Sequence, residues 1–220
     1  MIALGYYVDF VFCIDGTVTM APHLDRVKQT AKSMVTDMQK QLERRGSTVA
    51  QIRARIILFR DYLADGEHAM LLTDFFELSQ QIQTFESCLE SIDAGGGGDE
   101  PEDGLEALAY AITSNWTENH GRKRHVIVVW SDAGTHELGH GRSSQHYPKG
   151  MARDIRELQA WWDSKSEQYF GVLVLFAPDE NHWDHISQNW DNVIHYPSAA
   201  GEGLDEGAYR DILSTIYDPS

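Results

Sequence analysis

Cysteine is scarce: Cys13 and Cys88 are the two in a chain of 220 residues. So few thiols, both set in apolar patterns, exclude a disulfide-stapled scaffold and read as reduced core thiols of an intracellular protein. Long apolar runs are missing as well. No segment approaches the roughly 20 residues that a bilayer-spanning helix needs. The opening MIALGYYVDFVFCID lacks a basic n-region and passes straight into a strand pattern, so no signal peptide is expected and the cytoplasm is the expected compartment. Basic residues are outnumbered, 18 Lys and Arg against 34 Asp and Glu, for a net charge of −16. That balance disfavours nucleic acid and anionic membranes as partners, and it suits a soluble chain that holds cations. Repeats and low-complexity linkers are absent apart from short runs such as Gly95–Gly98. With 42% hydrophobic residues spread evenly, the expected organisation is a single domain over residues 1–220.

What is present is an alternation of two periodicities. Near-continuous apolar, β-rich runs fall at Tyr6–Ile14, Ile52–Phe59, Val126–Trp130, Phe170–Phe176 and Val193–His195, as in strands covered on both faces. Between them lie helical spacings. In Leu24–Leu42 the residues Leu24, Val27, Ala31, Met34, Val35, Met38 and Leu42 share one face. Phe75–Ile92, Glu102–Trp116, Ala152–Trp162 and Leu204–Ile216 read similarly, and residues 67–74 read as a short edge strand hairpinned on the second strand. The fold class predicted is α/β, a doubly wound and mostly parallel sheet with helices on both faces. Ligands of such sheets bind beyond the carboxyl ends of the strands.

Three loops at those ends concentrate oxygen donors: Asp15-Gly-Thr17-Val-Thr19, Gly95-Gly-Gly-Gly-Asp99-Glu-Pro-Glu102-Asp103, and Ser131-Asp132-Ala-Gly-Thr135-His136. One carboxylate with two hydroxyls at alternate positions suits a loop wrapped around a small hard cation. Mg²⁺ takes six oxygens at about 2.0–2.1 Å and keeps some waters, so few protein ligands suffice. Asp99 and Asp132 supply acids from separate loops, and the glycine run lets backbone pass close to an ion.

The set resembles the metal-ion-dependent adhesion site of von Willebrand factor A domains, whose first loop reads Asp-x-Ser-x-Ser. Here Thr17 and Thr19 replace the serines and keep the hydroxyls. The resemblance extends to Phe59-Arg60-Asp61-Tyr62, to Gly96-Gly97-Gly98-Asp99-x-Pro101-Glu102 and to Asp132-Ala133-x-x-His136, and is nearest to the subgroup in alpha-kinase-associated and bacterial proteins. It implies a Rossmann-like fold and a metal set of Asp15, Thr17, Thr19, Asp99 and Asp132, holding Mg²⁺ or else Mn²⁺ or Ca²⁺. Asp61 becomes an acid that either supports the metal ligands from behind or orders a loop, and His136 and Glu137 belong to the adjacent partner-facing loop. The implied function is non-enzymatic: the cation grips an acidic residue of another protein, such as an AAA-type ATPase, a kinase or an effector component of a bacterial multi-protein system. Most such domains offer threonine where Asp99 stands. The extra carboxylate is expected to tighten the metal and weaken the attraction for a partner's acid. A metal titration of Asp99→Thr is therefore expected to give lower affinity than the parent.

Two enzyme readings compete. His136-Glu137-Leu-Gly-His140 is an HExxH string, with His146 where a third zinc ligand of a metallopeptidase would stand. That chemistry needs the string on a helix, yet Gly139, Gly141, Ser143 and Ser144 crowd it and Leu138 is its one apolar residue. Cys13-Ile-Asp15-Gly-Thr17-Val also resembles the first motif of haloacid dehalogenase-type phosphatases, but cysteine occupies the nucleophile's place, so no phosphoaspartate can form. Trp161, Trp162, Trp183 and Trp190 read as packing residues, His182, His185 and His195 as surface or capped, and Arg122–His125 as a solvated loop.

Overall fold

A computed structural model describes residues 5–98, 100–118, 121–169 (backbone only for 167–169) and 171–217. Its strands are β1 (Tyr6–Asp15), β2 (Val49–Phe59), β3 (Met70–Leu72), β4 (Phe76–Glu77), β5 (Arg122–Trp130), β6 (Gly171–Ala177) and β7 (Val193–Pro197). Its helices are α1 (Leu24–Arg44), α2 (Leu78–Glu90), α3 (Gly104–Ile112), α4 (Ile155–Tyr169), α5 (Trp183–Asn189) and α6 (Glu206–Tyr217). The strands form one sheet in the order β3-β2-β1-β5-β6-β7. β1, β2, β5, β6 and β7 run parallel, while β3 and β4 lie antiparallel on β2.

Why β1 is apolar almost throughout is plain from its two faces. Val8, Phe10, Phe12 and Ile14 point into a core shared with α1, α2 and α6, including Met34, Met38, Phe85 and Ile216. Val11 and Cys13 point the other way, against Leu105 and Leu108 of α3 and the ring of Trp183 in α5. All seven apolar positions that the 3.6-residue period assigns to one face of α1 are buried. Among the described residues no helix is long and apolar enough to cross a membrane.

Several boundaries differ from the sequence reading. The helical pattern at Phe75–Ile92 starts as a helix only at Leu78, because Phe76 and Glu77 pair with Ala54 and Arg53 as β4. Glu102 and Asp103 stay outside α3, whose start is set by Asp103 at φ −82°, ψ 51°. Helix α4 begins three residues later than expected and runs on to Tyr169. The basic stretch Arg122–His125 is strand, not loop: it pairs with Tyr6–Asp9, and its charges find partners at that end of the sheet. Arg124 donates to the Tyr217 carbonyl from Nε and Nη2 at 3.1 and 3.0 Å. His125 stacks on Trp116 with centroids 4.6 Å apart. Buried Asp9 is clamped by Arg53 at 2.8 and 2.7 Å and by the Thr117 backbone N–H at 2.7 Å.

The parallel register brings the carboxyl ends of Asp15, Phe59, Trp130 and Ala177 to one edge. β1 sits between β2 and β5, which follow it on opposite sides, so the strand order reverses there. Trp183 ties this edge down, with its Nε1 donating to the Ala133 carbonyl at 3.2 Å. A Cβ on Gly104 would stand 2.7 Å from the Trp183 ring and 3.1 Å from Thr135 Oγ1. Gly104→Ala is expected to cost about 1–3 kcal/mol as the ring is forced aside, measurable by chemical denaturation.

Candidate metal centre

The centre begins where β1 ends. Asp15 is fully buried, and its two oxygens are used separately. Oδ1 accepts from the Thr17 N–H at 3.0 Å and the Thr17 hydroxyl at 2.7 Å, while Oδ2 accepts from the Ser131 hydroxyl at 2.8 Å. The chain of oxygens continues outward from Thr17 Oγ1 to Thr19 Oγ1 at 3.1 Å, and from Thr19 Oγ1 to Asp132 Oδ1 at 3.2 Å. Four of the five residues assigned to the metal set thus converge, with burial grading from Asp15 to exposed Thr19. Asp99, the fifth, lies outside the described residues.

The glycine run seats the second loop against this chain. Gly95 donates to the Gly16 carbonyl at 2.9 Å, and Gly97 donates to Asp65 Oδ2 at 2.9 Å. Gly97 has φ +79°, and a Cβ there would meet Glu102 Oε1 at 2.7 Å and the Thr17 side chain at 3.0 Å. Glycine is required on both counts, conformation and space.

Glu102 was not among the residues assigned from sequence, although it ends the quoted glycine run. It is 4% exposed, and its Oε2 has no hydrogen-bond partner among the described residues. Burial, then the neighbouring charges of Asp15, Asp61, Asp65 and Asp103, push its carboxyl up to about 9. Burial also raises Asp15 to about 6, against the hydrogen bonds from Thr17 and Ser131, and Asp132 adds repulsion. Asp103 rises to about 7 through burial and the Glu106 charge, and Glu106 itself is raised by burial. A buried carboxylate cluster with an orphaned oxygen fits a cation, because a positive charge would offset the burial and repulsion that otherwise keep protons on these acids. Ser131 was likewise unassigned. The signal for both was their place in the three loops, but neither direction nor burial is written in the sequence.

The third group of assigned residues sits beside this centre. Asp61 Oδ1 accepts from the Leu63 and Ala64 backbone N–H groups of its own loop. Its Oδ2 faces His136 Nε2 at 3.2 Å. Glu137 is exposed. The HExxH string does not lie on an α-helix. His136 lies outside any helix, its N–H donating to the Glu102 carbonyl at 2.8 Å, Gly139 takes φ +92°, and a 3-10 turn begins at His140. Glu137 and the histidines therefore lack the helical presentation of a zinc peptidase, and His146 packs over Gly66 instead.

No family model matches the chain. It is 26% identical over 218 residues to alpha-protein kinase vwkA of Dictyostelium discoideum, covering 95% of this chain and 33% of that protein. The chain thus spans about a third of the length of the curated relative it matches. The pilus adhesin SpaC of Lactobacillus rhamnosus GG, in its open conformation, superposes with a TM-score of 0.55 at 14% identity, over 95% of this chain and 30% of that one. Proximal thread matrix protein 1 of the mussel byssus gives 0.52 at 12% identity, over 96% and 46%. At such identities the solved structures establish the fold alone: a doubly wound, mostly parallel α/β sheet.

Proposed function

We propose that this chain is a protein-binding module of the von Willebrand factor A type, in which a divalent cation, Mg²⁺ by the chemistry of its all-oxygen donors, engages an acidic residue of a partner. The carrying observation is the continuous run of oxygens from Asp15 through Thr17 and Thr19 to Asp132, at the carboxyl ends of β1 and β5. Asp15, Thr17, Thr19 and Asp132 would hold the ion, with Asp99 and Glu102 supplying further acids. When bound, the ion supplies a positive centre on an otherwise acidic edge. Asp15 fixes the Thr17 hydroxyl, Thr17 and Asp132 hold that of Thr19, and Ser131 holds Asp15 in place from the opposite side.

Affinity for a partner would come from a carboxylate replacing water in this sheltered corner, a charge-assisted contact. Val18 and Leu63, 61% and 49% exposed on the same edge, offer apolar contact around it. Similarity to a kinase-named protein and superposition on an adhesin support a protein-interaction role, and an ATPase, kinase or effector component as partner remains part of this proposal. Catalysis by a zinc peptidase mechanism draws no support from a string that is not helical.

Mn²⁺ provides the test. Chelator-stripped protein is expected to bind Mn²⁺ and enhance water-proton relaxation, and an aspartate- or glutamate-bearing peptide is expected to reduce that enhancement by displacing water. Enhancement that acidic peptides leave unchanged, like that seen with amide counterparts, would overturn the adhesion role while leaving metal binding intact.

A further inference from the structure

We infer that Asp61, His136 and His140 form a second cation site, of mixed nitrogen and oxygen donors, that takes Zn²⁺-class ions and not Mg²⁺. The inference does not rest on the oxygen-lined centre or on the adhesion role. One ligand atom from each of the three residues lies within 4.8 Å of the other two. Around a tetrahedral ion with ligands at about 2.0–2.1 Å, neighbouring ligand atoms are about 3.3 Å apart. Asp61 Oδ2 and His136 Nε2 already stand at 3.2 Å.

The two inner ligands are held in place before any ion arrives. Asp61 is 2% exposed in its side chain and pinned through Oδ1 by the loop's own N–H groups, which leaves Oδ2 aimed at His136. His136 is 10% exposed in its side chain and fixed by its backbone bond to Glu102. His140 is exposed and stacks on His136, with centroids 3.7 Å apart and planes 11° from parallel. Parallel rings do not aim their lone pairs at one point, so His140 must turn about its side-chain bonds to complete the site. An exposed ring does that at little cost.

Two imidazoles and one carboxylate select borderline ions such as Zn²⁺ and Co²⁺, whereas Mg²⁺ prefers oxygen alone. The order of the ligands also differs from a peptidase reading of HExxH, because the third ligand is Asp61 and not His146. Such an ion would cross-link the loop after β2 to the loop after β5 and stiffen the rim on which Leu63 and Glu137 are displayed.

Co²⁺ reports directly on this site. Chelator-stripped protein in excess Mg²⁺ is expected to develop the visible absorption of low-coordinate Co²⁺ at about one equivalent, and Zn²⁺ is expected to bleach it. His140→Ala, which changes an exposed side chain, is expected to weaken Co²⁺ binding by at least about tenfold. Asp61→Asn is expected to weaken it as well, with circular dichroism confirming that the fold persists. Asp15→Asn and His146→Ala are expected to bind Co²⁺ like the parent. No visible absorption, or unchanged affinity in His140→Ala, would overturn the proposal. Loss of affinity in His146→Ala would instead return the histidines to the peptidase arrangement.

Discussion

Asp15→Asn is expected to abolish the Mg²⁺-dependent stabilisation of this chain while leaving the metal-free fold as stable as the parent or more so. The asymmetry follows from what Asp15 does in each state. Without a cation its charge is buried, repelled by Asp132, and offset by hydrogen bonds from Thr17 and Ser131. An asparagine keeps the shape and one carbonyl acceptor, and it removes a charge from a site crowded with acids. With a cation present, the carboxylate is the most deeply buried of the ligands proposed from the described residues. A ligand at 100 times its Kd stabilises the native state by about 2.7 kcal/mol. For a chain of this size that corresponds to a rise in Tm of roughly 5–10 °C. Thermal melts with chelator and with saturating Mg²⁺ are expected to differ by that amount in the parent and to coincide in Asp15→Asn. Equal Mg²⁺ shifts in both proteins would place the ion elsewhere.

The metal-free protein is expected to lose stability as pH rises from about 6.5 to 9, contrary to the usual behaviour of carboxylates. Asp103 and Glu102 have folded-state pKa values of about 7 and about 9. In an unfolded chain such groups titrate at about 3.9 and 4.3. A group whose pKa is raised on folding stabilises the native state while protonated, and that contribution disappears as pH climbs through the folded value. Each loss runs from the unfolded value up to the folded one, so that of Asp103 is nearly complete by pH 7 and that of Glu102 continues to about pH 9. His125 acts oppositely: burial pushes it down to about 4, so it opposes folding as pH drops below about 6.5 and stays out of the window. Unfolding of chelator-treated protein is expected to show a loss on the order of 1–3 kcal/mol between pH 6.5 and 9. Saturating Mg²⁺ is expected to flatten the profile, and binding at pH 7.5 is expected to release protons. Glu102→Gln is expected to remove much of the slope. A metal-free profile that is level or rising over this range would show that these acids are not held protonated by their burial and by one another.

The sheet itself was legible because burial on two faces and burial on one face leave different periods. The run at Tyr6–Ile14 is interrupted only by Asp9 and that at Ile52–Phe59 only by Arg53 and Arg55, and the apolar face assigned to α1 is the face that is buried. Failures occurred where pairing across the sheet overrode local pattern. Phe76 and Glu77 fit a helix by spacing but pair with β2, and Arg122–His125 look like a polar loop until Asp9, Tyr6 and Tyr217 supply partners from distant parts of the chain.

For the centre, the sequence by itself determined the chemistry: one aspartate and two threonines at alternate positions, further acids after a glycine run, and Asp132 at the end of another strand. That much is composition and order along the chain, and it is the oxygen-donor chemistry on which the proposal of a hard cation rests. Tertiary structure alone decided which oxygens meet. Register between parallel strands set Asp15 beside Ser131, and the close passage of Gly97 admitted Glu102 to the same corner. The same packing turned Asp61 towards His136, and the non-helical path of residues 136–140 brought His140 onto that pair. Distances between residues so far apart in the chain depend on how its layers close, and no local pattern encodes them.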